Sequence, residues 1–414
     1  MQLELPHFLK PALAAGHPWV YRDHVPRDFR APSGAWVEVS AGNWRSFALW
    51  DTASPIALRV YGPTQPDPAW VTRQVQAAWD LRAPLHSPVA SPVLESDRPT
   101  TAFRWLFGEG DGLPGITVDR YGDYAVLATY ADSVDVLVPW VVDALVAIAR
   151  EAGQPLLGIL RRNRQPANNA EPVSIVETAK TRSIWGELPP ADLVVQECGL
   201  YFRVNLFEGQ KTGLFVDQRE NRQYVETLAS GRRVLNLFAY SGAFGMYAAR
   251  GGAVSTINVD SAAAALADAK ANYYLNGFDG LDSVDNGNAR HEFVVADVAA
   301  YLEKARVAGR KFDLVVCDPP SLSHSKEQLP QALKAYARLN AAAMRATAKG
   351  GLLATASCTA QVSPDAFREA LADAARQAGR RLQVIHEVGQ PVDHPVMVGH
   401  REGRYLKFVV GRVG

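Results

Sequence analysis

The apolar run LLATASCTA places Cys358 where a strand would give way to a loop. A thiol there either fills space, as buried free cysteine commonly does, or attacks an electrophilic carbon once ionised. An unperturbed thiol, with a pKa of ~8.5, is only a few per cent thiolate near neutrality, so a nucleophile needs surroundings that favour the anion. Three acids stand at comparable places: Asp260 ends TINVD, Asp297 ends EFVVAD, and Asp318 ends DLVVCD and opens Asp318-Pro319-Pro320-Ser321. A carboxylate at a strand end accepts ribose hydroxyls or an amino group, and it also caps the helix that follows. Singly the cap is the commoner outcome; as a pair, Asp260 and Asp297 favour a ligand. Gly242 and Gly245, in NLFAYSGAFG, fall where backbone would approach that ligand closely. Cys317 precedes Asp318 by one residue, so its side chain points to the other face of the strand and is assigned to the core. Cys198 lies outside these strand ends and is read as structural.

The elements that must hold these positions alternate. VLNLFAY, a helix from Gly242, TINVD, a helix from Ala262, EFVVAD, a helix from Val298, DLVVCD, a long helix to Lys349, LLATASC, a helix from Asp365 and two closing strands follow one another. Continuous apolar strands separated by helices predict an α/β fold with a mostly parallel sheet covered on both faces, in which ligands bind beyond the carboxyl ends of the strands. Upstream, AWVEV, SFALW and IALRVYG predict a small β module over residues 1–65. The prolines of 62–68 and 84–99 punctuate the link to a second α/β unit over 66–195, and 196–414 form the doubly wound domain.

Lys plus Arg and Asp plus Glu are both 43, so net charge is zero and any polyanion must be held by local patches. Apolar residues are 48% and charged residues 21%, an ordinary globular composition. Three scattered cysteines predict neither a disulfide framework nor a Cys-pair zinc site and fit a reducing cytoplasm. The nine histidines form no H-x-x-x-H pair, so no metal is expected. The most apolar stretch, from Val136, is interrupted by Pro139 and Asp143 and falls short of the roughly 20 residues a membrane span requires. The N-terminus lacks the pattern of a secretory signal.

A glycine turn and an acid after the second strand also suit a nicotinamide dinucleotide, but that needs G-x-G-x-x-G. Here Tyr240 holds the first glycine position and only S-G-x-x-G remains, so the turn alone leaves dehydrogenase and methyltransferase even. Asp318-Pro319-Pro320-Ser321 shifts the balance, because it resembles the fourth motif of S-adenosylmethionine-dependent nucleic-acid base methyltransferases. The whole chain resembles the PUA-domain-containing class I methyltransferases that make 5-methylcytosine in large-subunit (23S) ribosomal RNA. HPWVYRDHV resembles the PUA module and GEGDGLPGITVDRYGD the middle domain; GQKTGLFVDQRENR, VLNLFAYSGAFG, CDPPSLSHSK, ASCT and DHPVMVGHREGRYLK resemble successive pieces of the catalytic domain. The chain departs from many class I enzymes at Asn236, where they carry an acid, and in the proline-rich 84–99 segment.

The resemblance implies S-adenosylmethionine as cofactor and a Rossmann-like catalytic domain. Tyr240, Gly242 and Gly245 would line its methionine end, Asp260 its ribose and Asp297 its adenine. Lys211, Thr212, Phe215, Asp217 and Arg219 would close from the other side. Carbon 5 of cytosine is a poor nucleophile, so its methylation requires prior attack at carbon 6, the step Cys358 would perform. Asp318 would contact the base edge and the cofactor, while Pro319, Pro320 and Ser321 would shape the floor beneath a flipped-out base. His394, beside Asp393, would approach the substrate. RNA would be held by the PUA-like module and by Arg161, Arg162 and Arg164, or Lys211, Arg219 and Arg222. Two other readings stand beside this one: a nitrogen-directed RNA methyltransferase, which needs no thiol, and a non-catalytic RNA-binding assembly factor. The oligomeric state stays open, a homodimer among the options.

Overall fold

The computed structural model describes residues 1–87, 98–162, 181–207, 214–278, 290–323 and 327–414. The chain divides into two compact units, one of Met1–Leu200, Val204–Asp217 and Val392–Gly403, the other of Tyr201–Arg203, Gln218–Pro391 and Arg404–Gly414.

In the first unit, alternation of buried and half-buried residues along Trp36–Ala41 marks a strand with one face on a core. It belongs to a five-stranded sheet in the order 2–4, 36–41, 44–50, 56–62, 19–21, with Val37, Val39, Ala48 and Leu58 inside. A second five-stranded sheet orders 181–186, 158–162, 124–129, 116–121 and 102–107. Its one parallel pair joins Tyr124–Thr129 to Gly158–Arg162, and the helix Val138–Glu151 makes the crossover that a parallel pair demands. Each sheet lies within one of the two upstream regions expected from the sequence. The doubly wound domain is not contiguous, however: Val392–Gly403 belongs to the first unit. Fully enclosed Arg82 explains that placement, because it pairs bidentately with Asp111 (2.8 and 2.6 Å) and donates to the Asp393 carbonyl at 2.8 Å. The Arg104 amide donates to the Asp393 carboxylate at 3.0 Å. An added Cβ on Gly110 would lie 1.9 Å from the Pro395 carbonyl oxygen, so only glycine admits the segment there.

The second unit is built on β1 (Arg233–Leu237), β2 (Ser255–Asp260), β3 (His291–Val295), β4 (Phe312–Cys317), β5 (Thr347–Ser357), β6 (Leu382–Val388) and β7 (Lys407–Val413). Their order is β3-β2-β1-β4-β5-β7-β6, with β7 antiparallel to both neighbours and the ladders from β3 to β5 parallel. Helices α1 (Arg219–Leu228), α2 (Ala243–Arg250), α3 (Ala263–Leu275), α4 (Val298–Val307), α5 (Leu329–Ala346) and α6 (Pro364–Ala378) accompany it. Leu235, Leu237, Val315, Cys317 and Leu353 enter one core; Val234, Leu314, Val316 and Ala354 enter another. Burial of both faces explains the unbroken apolar runs. The strand order reverses between β1 and β4, which puts the crevice at their carboxyl ends. Among the described residues, no helix is long and apolar enough to cross a membrane.

Candidate active site

Leu237 pairs with Val259 and with Cys317, and Cys317 with Thr355, so β1, β2, β4 and β5 end at a common edge. The loop leaving β1 is bent through left-handed backbone: Phe238, Tyr240 and Gly242 have φ of 58°, 48° and 79°. For Phe and Tyr that conformation costs roughly 1–2 kcal/mol each, strain of the sort that clusters at ligand loops. Asp260 holds the bend, one carboxylate oxygen accepting from the Tyr240 amide and the other from the Ala262 amide, both at 2.9 Å. Gly242 is the N-cap of α2. A Cβ on it would stand 2.8 Å from the Ala269 Cβ, so its freedom from a side chain serves both φ and packing.

Two sequence expectations change in reason here. Gly245 was expected to admit a ligand, but a Cβ there would strike Asn258 Oδ1 at 2.3 Å and the Tyr273 hydroxyl at 2.5 Å, so glycine is needed to seat α2 on β2. Exposed Asp297 caps α4, accepting from the Ala300 amide at 2.9 Å. Asn236, the departure from an acid, is buried and donates to Asn258 Oδ1 across the β1–β2 ladder at 2.9 Å. In that setting a carboxylate would be stranded in the sheet, where charge is costly.

Cys358 follows the last residue of β5 and is half-buried. Sγ lies 3.9 Å from the carbonyl oxygen of Pro319, which brings the thiol against the Asp318-Pro319-Pro320-Ser321 turn. Fully enclosed Thr359 fastens the two together: its hydroxyl meets the Tyr336 hydroxyl at 2.8 Å, the Leu322 amide at 3.2 Å and the Ser321 hydroxyl at 3.3 Å. Asp318 Oδ2 accepts from Gln218 Nε2 at 3.0 Å, and Gln218 is held in turn by Asn221 at 2.6 Å. Cys317 is enclosed, and burial pushes its thiol far up, which leaves it unsuited to ionise.

Lys407 opens β7, paired with Ser357, and is almost wholly enclosed. Its ammonium donates to the carbonyls of Thr359 (2.6 Å) and Tyr405 (2.8 Å). Burial lowers its pKa to about 8, and the Cys358 thiol acts to raise it again. A thiolate beside that ammonium is favoured by the same interaction. Sequence reasoning missed Lys407 and Gln218, because no local spacing ties them to Cys358 or Asp318, and it missed Thr359 because the partners of its hydroxyl, Ser321, Leu322 and Tyr336, are distant in the chain.

The remaining expected residues distribute differently. Lys211, Thr212 and Arg164 lie outside the described residues. Phe215 and Asp217 belong to the first unit, Asp217 buried in the turn Val216–Gln218. Arg219 and Arg222 are enclosed, the latter over the Phe244 and Tyr247 rings at 6.0 and 5.9 Å, so they form no surface patch for RNA. Arg161 is engaged by Thr129 at 3.0 Å and by Asp135. His394 is 2% exposed, bonded to Asp393 at 3.1 Å and packed on Phe107 at 4.9 Å. An imidazole so enclosed has no open face for a base, which corrects its expected substrate contact.

Residues 180–402 match the family described as S-adenosylmethionine-dependent methyltransferase, and residues 6–62 match the PUA-like domain. A ribosomal RNA large subunit methyltransferase of Deinococcus radiodurans is 37% identical over 400 residues, covering 95% of this chain and 93% of that protein. The ribosomal RNA large subunit methyltransferase I of Aeromonas salmonicida is 33% identical over 407 residues, covering 97% and 96%. A crystal structure of a protein designated a methyltransferase, complexed with SAH, superimposes with a TM-score of 0.83 at 24% identity, covering 100% of both chains; at that identity the likeness is one of fold.

Proposed function

We propose that this chain, which belongs to the S-adenosylmethionine-dependent methyltransferase family and carries a PUA-like domain, methylates carbon 5 of a cytosine in large-subunit ribosomal RNA through an adduct on Cys358. The RNA class rests on what the similar proteins are named for. The cytosine rests on one observation: a half-buried cysteine whose sulfur lies 3.9 Å from the Pro319 carbonyl oxygen, with a buried ammonium on the neighbouring strand. A nitrogen-directed enzyme would need neither.

The strained loop at Tyr240, the helix start at Gly242 and the carboxylate of Asp260 suit the sulfonium cofactor's methionine and ribose, with Asp297 near adenine. Gly245 supports them by packing, and Arg219 of the same unit belongs to the proposed set. When bound, the cofactor supplies an electrophilic methyl group. Cys358, ionised beside Lys407, adds to carbon 6; the carbon–sulfur bond forms as the ring π pair shifts to carbon 5, which becomes nucleophilic. Asp318, oriented by Gln218, holds the N3 and N4 edge and stabilises the adduct. Pro319, Pro320 and Ser321 form the floor. After methylation, loss of the carbon 5 proton restores the double bond and expels the thiolate.

Incubation of the protein with a large-subunit rRNA transcript and S-adenosylmethionine, followed by nucleoside mass spectrometry, tests the reading. The expected product is 5-methylcytidine. Methylated guanosine or adenosine in its place, or no methylated nucleoside, would overturn it.

A further inference from the structure

In a parallel sheet every strand is entered from one edge, so residues just before each strand collect there. In this chain the positions at that edge on the β4, β5, β7 and β6 side are rich in cations. Lys311 precedes β4, Arg345 lies in the last turn of α5, Lys349 is the third residue of β5, next to Gly350, Arg380 and Arg381 precede β6, and Arg412 lies near the end of antiparallel β7. They are contiguous. Lys311 donates to the Arg345 carbonyl at 2.6 Å, and Arg345 to the Gln377 carbonyl at 2.8 Å. Arg412 Nη2 lies 3.6 Å from where a Gly350 Cβ would stand, and the Gly414 amide donates to the Arg381 carbonyl at 2.8 Å. Among the described residues none of the six is in a salt bridge, whereas Arg233 at the same edge is neutralised by Asp313 at 3.0 Å. In a chain of zero net charge this is a local positive field.

We propose that this edge is a second phosphate-binding contact for the RNA, an inference that rests on the function proposed above. Cys358 and Asp318 lie at the opposite, carboxyl edge. Six residues of β4 separate the two edges by about 20 Å. A single flipped base cannot touch both, so the partner is an extended, folded RNA whose backbone passes around the domain while one base enters the site. Lys311, Lys349, Arg381 and Arg412 are exposed, and their cationic groups suit phosphate without reading sequence.

The test uses the full chain and its triple variant Lys349→Glu/Arg381→Glu/Arg412→Glu, with a large-subunit rRNA transcript and a short hairpin as probes. Affinity is measured across salt concentration. The transcript slope of log affinity against log salt is expected to become shallower by about 3, one for each phosphate contact removed, while hairpin binding and SAH affinity stay unchanged; the latter shows that the variant folds. A second readout needs no variant: transcript binding should protect Lys311 and Lys349 from acetylation in the native chain. Equal slopes for the two proteins, with no protection, would overturn the proposal. A change in sedimentation with an unaltered slope would assign the edge to a second copy and also overturn it. Failure of the native chain to bind the transcript at all would instead bring down the ribosomal RNA reading, and this inference with it.

Discussion

Lys407 is the residue whose chemistry is most exposed to experiment, because its ammonium is enclosed and already bonded to two carbonyls. With its pKa near 8, it is charged below that value and neutral above. Its help to a thiolate is therefore present below pH 8 and fades as pH rises through it. Lys407→Met should shift the pH of half-maximal iodoacetamide reactivity of Cys358 upward, measured by mass spectrometry; an unshifted profile would remove Lys407 from the mechanism. The same shift acts on stability. Between pH 8 and the ordinary 10.5 the unfolded chain keeps a proton that the folded chain has lost, so this group adds stability as pH rises through that window. Denaturation midpoints of native and Lys407→Met proteins should converge as pH rises across it. None of this was legible in the sequence. Cys358 announced itself by closing an apolar run, but Lys407 reaches it only through the antiparallel register of β5 and β7.

At the scale of elements, the β1–α2 turn carries the largest local constraint. Gly242→Ala must force an L residue into φ of 79° and drive a methyl group to 2.8 Å from Ala269. The expected cost is about 1–2 kcal/mol from backbone alone, with more from the clash, and SAH affinity should fall in isothermal titration. Unchanged affinity and melting temperature would show that the turn relaxes freely. The strands and helices of this domain were readable because unbroken apolar runs and helical spacing are local signals. The sequence singles out Gly245 for close approach to a ligand; its packing need is not legible there, since the atoms that exclude a side chain, on Asn258 and Tyr273, come from distant parts of the chain. A surface role for Arg219 and Arg222 follows from the habit of charge; both are enclosed, and for Arg222 the rings of Phe244 and Tyr247 contribute burial that the sequence does not display.

For the whole molecule, one departure from a linear domain plan is the segment Val392–Gly403, which belongs to the first unit although strands of the second flank it; Val204–Asp217 is another. Its anchor is Arg82, enclosed and paired with Asp111. Asp111→Ala would leave that cation uncompensated, a change that typically costs about 3–5 kcal/mol. The expected result is faster amide exchange across 392–403 together with a lower melting temperature; exchange confined to the neighbourhood of Asp111 would contradict the anchoring role. Length and composition foretold a globular chain of more than one part, but an anchor joining residues 82, 111 and 393 has no local trace in sequence.

The proposed reaction turns on covalent addition of Cys358 to a cytosine. Large-subunit rRNA carrying 5-fluorocytosine, incubated with protein and S-adenosylmethionine, should trap a denaturation-resistant complex, because fluorine on carbon 5 cannot depart as a proton does. Digestion and mass spectrometry should find the nucleotide on the peptide containing Cys358, and Cys358→Ala should form no complex. A complex of equal yield in the Cys358→Ala protein, or methyl transfer by that variant at the native rate, would contradict the account.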